Sequence, residues 1–293
     1  MPRPCVTLRR NRLFAPALLA PALLALVVTA CGTAPVKPPN ATHQAAAALN
    51  QSAARALAQG QAEEALAIYS RALALADSVE DFELSGTTLL NLALVHSRLG
   101  QLALAQARLD RILAAPQLYA GALQAQAAAR KALLALDVPD QAAALRWADT
   151  ALARCAEPCE MAAALANLRA FVALQSGDAD AAAKLAERAT ELATAAGQEA
   201  EQANGLRLAG RAHSLAGRMA VAAEMLARAL AIDRRLGLPD RVALDLMAAG
   251  ENEARRGQRE QSRAFFERAL NVYLSVGNAA AVSSLRTRIE GLR

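Results

Sequence analysis

The sequence predicts an all-α repeat array, and three observations carry that reading. A phrase recurs at a fixed interval, the composition is rich in alanine and poor in aromatics, and apolar residues fall at helical spacing. The phrase is clearest from Gly217 to Leu230, a glycine turn followed by a helix with small residues at Ala222 and Ala229 and the larger Leu226 between them. It also starts at Gly60 (Ala65, Tyr69, Ala72), Gly100 (Ala105, Leu109, Ile112), Gly177 (Ala182, Ala186, Ala189) and Gly257 (Ser262, Phe266, Ala269). A weaker copy begins at Pro139, with Ala144, Ala148 and Ala151. Successive starts are 40, 39, 38, 40 and 40 residues apart, a period in the range that marks solenoids. Hydrophobic residues make up 55% of the chain but aromatics only 3%. Alanine, the best helix former, therefore supplies much of the apolar share. Such arrays grow by stacking unit on unit, so 293 residues need not be divided into globular domains.

Charge excludes one functional class. The net charge is +5, but Arg3, Arg9, Arg10 and Arg12 lie in a leader without acids, and the chain after residue 30 carries only +1. A nucleic-acid binder needs a concentrated basic face, so no nucleic-acid partner is expected.

From the N-terminus, residues 1–12 are basic, 13–28 are apolar, and small residues follow at Thr29 and Ala30. That is the layout of a secretory signal peptide over residues 1–30. Val28-Thr29-Ala30-Cys31-Gly32 resembles the lipobox of bacterial lipoproteins. The resemblance implies that Cys31 is acylated with diacylglycerol, becomes the first mature residue and is N-acylated. Gly32, in place of the aspartate that retains lipoproteins in the inner membrane, implies the outer membrane, with the protein facing the periplasm and anchored by lipid only. The alternatives are a spanning anchor or a secreted protein. The run from Leu13 to Val28 is short for a span, which needs ~20 apolar residues, and it contains Pro16 and Pro21. Residues 31–44 then read as the lipidated cysteine and an extended tether, with Pro35, Pro38, Pro39 and a solvated His43.

The repeat array is expected over residues 45–277. Its first unit runs from about Ala45 to Asp77, with Glu63 to Ala76 as second helix. The second unit opens with a helix at about Gly86–Leu99, where Leu89, Leu92, Ala93 and His96 share one face, and closes near Pro116. The series Leu89, Leu92-Ala93, His96, Gly100, Ala105, Leu109, Ile112 resembles the tetratricopeptide repeat. So do Leu206, Ala209-Gly210, His213, Gly217, Ala222, Leu226, Ala229 and, one unit on, Leu246, Ala249-Gly250, Gly257, Ser262, Phe266, Ala269. The resemblance implies a right-handed α-solenoid of about six helix-turn-helix units with a capping helix at 278–293, where Arg286, Arg288 and Glu290 fall. The chain departs from the family in lacking its leading Trp and in a period nearer 40 than the usual figure of about 34.

The third unit is the least regular. Pro139-Asp140 replaces the glycine turn, and the single tryptophan, Trp147, reads either as the filling of a wider gap between units or as a partner anchor. Cys155 and Cys159 flank Pro158 at the link to the fourth unit. In an oxidising envelope a disulfide is favoured there, a local staple of about 2 kcal/mol on the chain-entropy model. Two thiolates without a nearby histidine do not fill a zinc site, and the C-x-x-x-C spacing is not that of redox catalysts. His96 and His213, three units apart, are separated by on the order of 20–30 Å and cannot share a ligand. No nucleophile, base and orienting group can be brought together, so neither enzyme nor cofactor is expected.

In tetratricopeptide-repeat proteins the first helix of each unit lines a concave groove that binds a peptide or partner helix. The resemblance carries this role to Asn50 in the first unit and to Thr87, Leu90, Leu94 and Arg98 in the second. In the fourth it falls on Asn167 and Phe171, in the fifth on Asn204, Arg207 and Arg211, and in the sixth on Met247, Glu251 and Arg255. The basic C-terminal half implies an acidic segment or carboxylate terminus as partner, the alternative being a solvated charged face. The implied function is a scaffold in an envelope assembly: pilus or secretion biogenesis, outer-membrane protein insertion, or cell-wall synthesis. A second class is a small-ligand or lipid carrier, which would need an interior cavity of ~300 Å³ or more.

Overall fold

The computed structural model describes residues 40–138 and 140–291. The leader, Cys31, most of the expected tether and Pro139 lie outside the described residues. Among the described residues thirteen α-helices follow in order: α1 Ala41–Ala58, α2 Ala62–Ser78, α3 Phe82–Arg98, α4 Leu102–Leu113, α5 Gly121–Asp137, α6 Gln141–Arg154 and α7 Ala162–Gln175. They continue with α8 Ala179–Ala195, α9 Glu199–Leu215, α10 Met219–Arg235, α11 Pro239–Arg255, α12 Arg259–Ser275 and α13 Ala279–Glu290. Antiparallel pairing of α1 with α2, and so on to α11 with α12, makes six helix-turn-helix units of an all-α solenoid, and α13 closes the C-terminal end. Among the described residues no helix is long and apolar enough to cross a membrane.

The turn chemistry explains the period. The helices α8 to α12 each hold 17 residues and are joined by three-residue turns built around a glycine. At Gly217 the backbone is left-handed (φ +79°), a conformation that costs glycine nothing. It lets Arg218 N donate to His213 O at 2.8 Å and Gly217 N to Ser214 O at 3.3 Å, closing α9. At the other ends, Asp81, Asp140, Asp178 and Asn278 accept from the backbone N–H three residues on, at 2.8–3.1 Å, as N-caps do.

Small and large residues then interlock. A Cβ placed on Gly210 would lie 2.6 Å from Leu226 Cγ, and one on Gly250 would lie 2.8 Å from Phe266 Cε1. In the fifth and sixth units the large middle residue of the second helix thus packs onto the glycine of its own first helix, and Leu226 and Phe266 are both 1% exposed. That close contact lies inside the helix pair, not between units. Core side chains gather into four successive clusters: α1–α5 around Tyr69, Leu92 and Leu109; α5–α7 around Ala148 and Leu168; α7–α9, mostly alanine; and α10–α13 around Phe266 and Leu285.

Several expectations need correction. The tether does not reach residue 44, because Asn40 caps α1 and the helix starts at Ala41. His43 is not free in solvent: its Nδ1 bonds to the Asp81 carboxylate at the start of α3. The first helix of the second unit begins at Phe82, a turn earlier than expected. Trp147 is half-buried against the α5–α7 cluster, and Lys131 Nζ lies 4.4 Å from its ring centroid.

The third unit breaks the pattern. The first helices pack on one another from α1 to α3 to α5 and again from α7 to α9 to α11, with no comparable packing of α5 on α7. At this break α6 and α7 are joined by a link in which Cys155 and Cys159 form a disulfide across a Cα–Cα distance of 5.5 Å.

Candidate functional site

Six of the residues assigned to the groove, Asn204 among them, come together in one place. Phe171 on α7, Arg207 and Arg211 on α9, and Met247 and Glu251 on α11 line a depression of about 320 Å³, with Leu208, Leu244 and Ala248 completing its wall. Leu244 is 43% exposed, a large apolar side chain left open beside two arginines. Sequence reasoning did not single it out, although it stands one unit on from Asn204, which it joins in the lining.

The arginines here differ sharply. Arg207 is buried and committed to the protein: its Nη1 donates to Asp245 Oδ1 at 3.0 Å and Asp233 Oδ2 at 3.3 Å, and its Nη2 to Asn204 Oδ1 at 2.7 Å. One guanidinium thus faces two carboxylates whose residues are 0% and 1% exposed. Asp233 Oδ1 and Asp245 Oδ2 have no hydrogen-bond partner among the described residues. Burial pushes the Asp245 carboxyl up to about 7 despite Arg207, and the nearby Asp233 adds to the rise. Asp245 therefore holds a proton over part of the neutral range, which relieves an otherwise unbalanced negative charge. A signal for this cluster existed: Asp233 continues the apolar stripe Ala222, Leu226, Ala229, Leu230 of α10.

Arg211, half-buried on the rim, makes no hydrogen bond or ion pair with any described residue. Arg255, exposed one turn beyond Glu251, is likewise unpaired among them and lines an adjoining depression with Phe266 and Arg288. Glu251 is bonded to Arg288 of α13 at 2.9 Å, so the capping helix contributes to this face. The expected basic character of the C-terminal half thus rests on Arg211 and Arg255, not on Arg207.

The other assigned residues lie elsewhere or are occupied. Asn50 donates to Thr88 Oγ1 at 2.8 Å, and buried Asn167 donates to the Glu201 carboxylate at 2.9 Å and its backbone oxygen at 3.0 Å. With Arg207–Asp245, these are rungs from one first helix to the next, not groups awaiting a partner. Arg98 reaches Leu57 O at 3.4 Å. Thr87 is exposed, Leu90 is buried, and Leu94 lines a separate small pocket between α3 and α5.

Both array histidines are buried and bonded. His96 Nδ1 meets Gln101 Oε1 at 2.7 Å. His213 accepts from Arg218 Nε at its Nδ1 (2.7 Å), so its Nε2–H is the donor to Glu187 Oε1 at 2.8 Å, and Arg218 also binds Asp180 of α8. Among the described residues no group of three or more His, Cys, Asp or Glu is placed to hold a metal ion.

A family model for the tetratricopeptide repeat matches residues 44–117, which span α1 to α4. No curated protein matches this chain in sequence. Solved structures match in fold at low identity. A chain of the APC/C hetero-tetramer Cut9-Hcn1 is 14% identical with a TM-score of 0.63, over 83% of this chain and 42% of that one. A Rap protein complexed with Competence and Sporulation Factor is 13% identical with a TM-score of 0.62, over 85% of this chain and 71% of that one. PilW, a type IV pilus biogenesis factor, is 14% identical with a TM-score of 0.58, over 83% of this chain and 98% of that one. With the repeat model on the first two units and the same helix pairing carried through the other four, the described residues have the fold of tetratricopeptide-repeat proteins.

Proposed function

We propose that this chain is a protein-interaction scaffold whose partner surface is the face of α7, α9 and α11 around Arg211. The observation that carries the proposal is the depression itself. An exposed leucine, a phenylalanine and a methionine lie beside a guanidinium that the fold leaves without a counter-charge. Apolar side chains provide burial and Arg211 selects charge, the mixture that partner surfaces use. Arg255 adds a second unpaired cation, so the ligand is an acidic peptide or protein segment with apolar anchors.

The lipobox-like Val28 to Gly32 and the preceding leader favour a periplasm-facing outer-membrane lipoprotein, lipidated at Cys31. Similarity in fold to a type IV pilus biogenesis factor and to a Rap protein complexed with Competence and Sporulation Factor supports a role that works through binding other proteins or peptides. Within an envelope, that role fits pilus or secretion biogenesis, outer-membrane protein insertion or cell-wall synthesis. The carrier reading has less support, because the core between helices is largely closed by alanine and the depressions of that volume, beside Arg211, Arg255 and Leu274, open on the surface.

Charge reversal tests the surface. Arg211→Glu with Arg255→Glu should abolish co-purification of a partner that the wild type and an Arg188→Glu control retain, with the circular dichroism spectrum unchanged. Retention of the same partner by the double variant would refute the assignment.

A further inference from the structure

The counter-charges between second helices change along the array. In α4, Arg111, eleven residues after Gly100, is answered at 2.7 Å by Asp77 of α2, seventeen residues after Gly60. The same two places in α12 and α10, counted from Gly257 and Gly217, hold Arg268 and Arg234. A cation thus stands where the first two units carry the carboxylate. Neither arginine makes a hydrogen bond or ion pair with a described residue, and burial, then the charge of Arg234, holds the Arg268 guanidinium below the usual arginine range. Arg268 also edges a pocket of about 200 Å³ between α10 and α12, walled by Leu226, Leu230 and Phe265, with its guanidinium carbon 5.1 Å from the Phe265 ring centroid. Asn252 of α11, 1% exposed, lines the same pocket. Its Nδ2 donates to Met219 O at 3.2 Å, while its Oδ1 accepts from no described residue. Packing does not require that asparagine: five residues before the turn glycine, α3, α7 and α9 carry Val95, Val172 and Ala212, all buried. The Glu253 carboxylate, also on the lining, is bonded to Arg256 at 3.1 Å.

A buried acceptor without a donor is costly, and two neighbouring guanidiniums repel unless an anion joins them. A carboxylate answers guanidinium with short, strong, paired hydrogen bonds. A flat ring suits walls of leucine and phenylalanine, and a hydroxyl supplies the donor that an amide oxygen accepts. We propose that this pocket binds a small phenolic acid, with its carboxylate at Arg268 and Arg234, its ring against Leu226, Leu230 and Phe265, and its hydroxyl donating to Asn252 Oδ1. From α11 the pocket takes Ala249, Asn252 and Glu253, whereas the depression around Arg211 takes Leu244, Met247, Ala248 and Glu251. The two sites share no residue, so the two assignments fail independently.

The test uses full-length protein carrying para-fluorophenylalanine, with the Phe265 fluorine signal assigned by Phe265→Leu. Four probes are titrated: para-hydroxyphenylacetate, phenylacetate, para-hydroxyphenylacetamide and acetate. Saturable movement of the Phe265 signal by para-hydroxyphenylacetate is expected, with affinity at least roughly tenfold above that of each of the others. No movement, or equal affinity for any of the other three, overturns the proposal. Arg234→Asp restores the charge that Asp77 supplies in α2. Its melting temperature should hold or rise, and its affinity for para-hydroxyphenylacetate should fall at least roughly tenfold. Asn252→Val, which places there the residue type that α3 and α7 carry, should keep its melting temperature and bind phenylacetate as tightly as the phenol. Unchanged affinity in Arg234→Asp, or a fall in melting temperature in Asn252→Val with the preference for the phenol intact, would show that these side chains serve the fold alone.

Discussion

From Gly177 to Gly277 a left-handed glycine recurs every 20 residues, whereas between Gly100 and Gly177 no described residue has positive φ. The first stretch yields five consecutive helices of one length. The second contains helices of 12, 17, 14 and 14 residues. Where the glycine rhythm holds, first helices stack on first helices and build the surface that carries Arg211. Where it lapses, α5 and α7 lose that packing and a disulfide spans the link beside them. Turn spacing, through helix length, sets whether neighbouring units share a face.

The largest effects are expected on the regular side. Arg207→Ala should cost about 3–5 kcal/mol in denaturant unfolding, because it strands two buried carboxylates. Gly210→Ala should cost about 1–3 kcal/mol by forcing a methyl group against Leu226, and Leu226→Ala should cost less in the Gly210→Ala chain than it does alone. On the irregular side, Cys155→Ser should cost about 2 kcal/mol or less. Hydrogen exchange should then quicken around residues 155–161 while α9 to α12 keep their protection. Uniform loss of protection would mean that the two regions are not separable.

The smallest effect is on pH dependence. The Asp245 carboxyl sits near 7 when folded and near the ordinary value of about 3.9 when unfolded. The native state then holds a proton that the unfolded chain has released. Its contribution is fully present below the unfolded value and is lost as pH rises through about 7. Asp245→Asn should flatten that decline in melting temperature, leaving Arg207 paired with Asp233 alone. An unchanged slope would remove Asp245 as its origin.

Much of the architecture was legible before any coordinates. Turn glycines, the small–large–small phrase and the N-capping aspartates are local, and a local cause suffices for a helix, its end and its partner. The site was legible in part. Arg211, Met247 and Phe171 do line one depression, but Asn50, Asn167 and Arg207 point into the next unit. What they meet is Thr88, Glu201 and Asp245, residues 34 or 38 positions on, and a single helix pattern cannot say whether an acceptor waits there. Asn252 escaped for the converse reason. An asparagine near a helix end looks solvated until its surroundings prove to be buried and largely apolar.

The central claim, that the face around Arg211 receives an acidic partner, is tested most directly by a crosslink in intact cells. A photoreactive residue at Leu244 should give one discrete adduct that is lost when Arg211 and Arg255 are reversed, while the same residue at exposed Arg188 gives none. The same adduct from both positions, or one at Leu244 that survives the reversals, would contradict it.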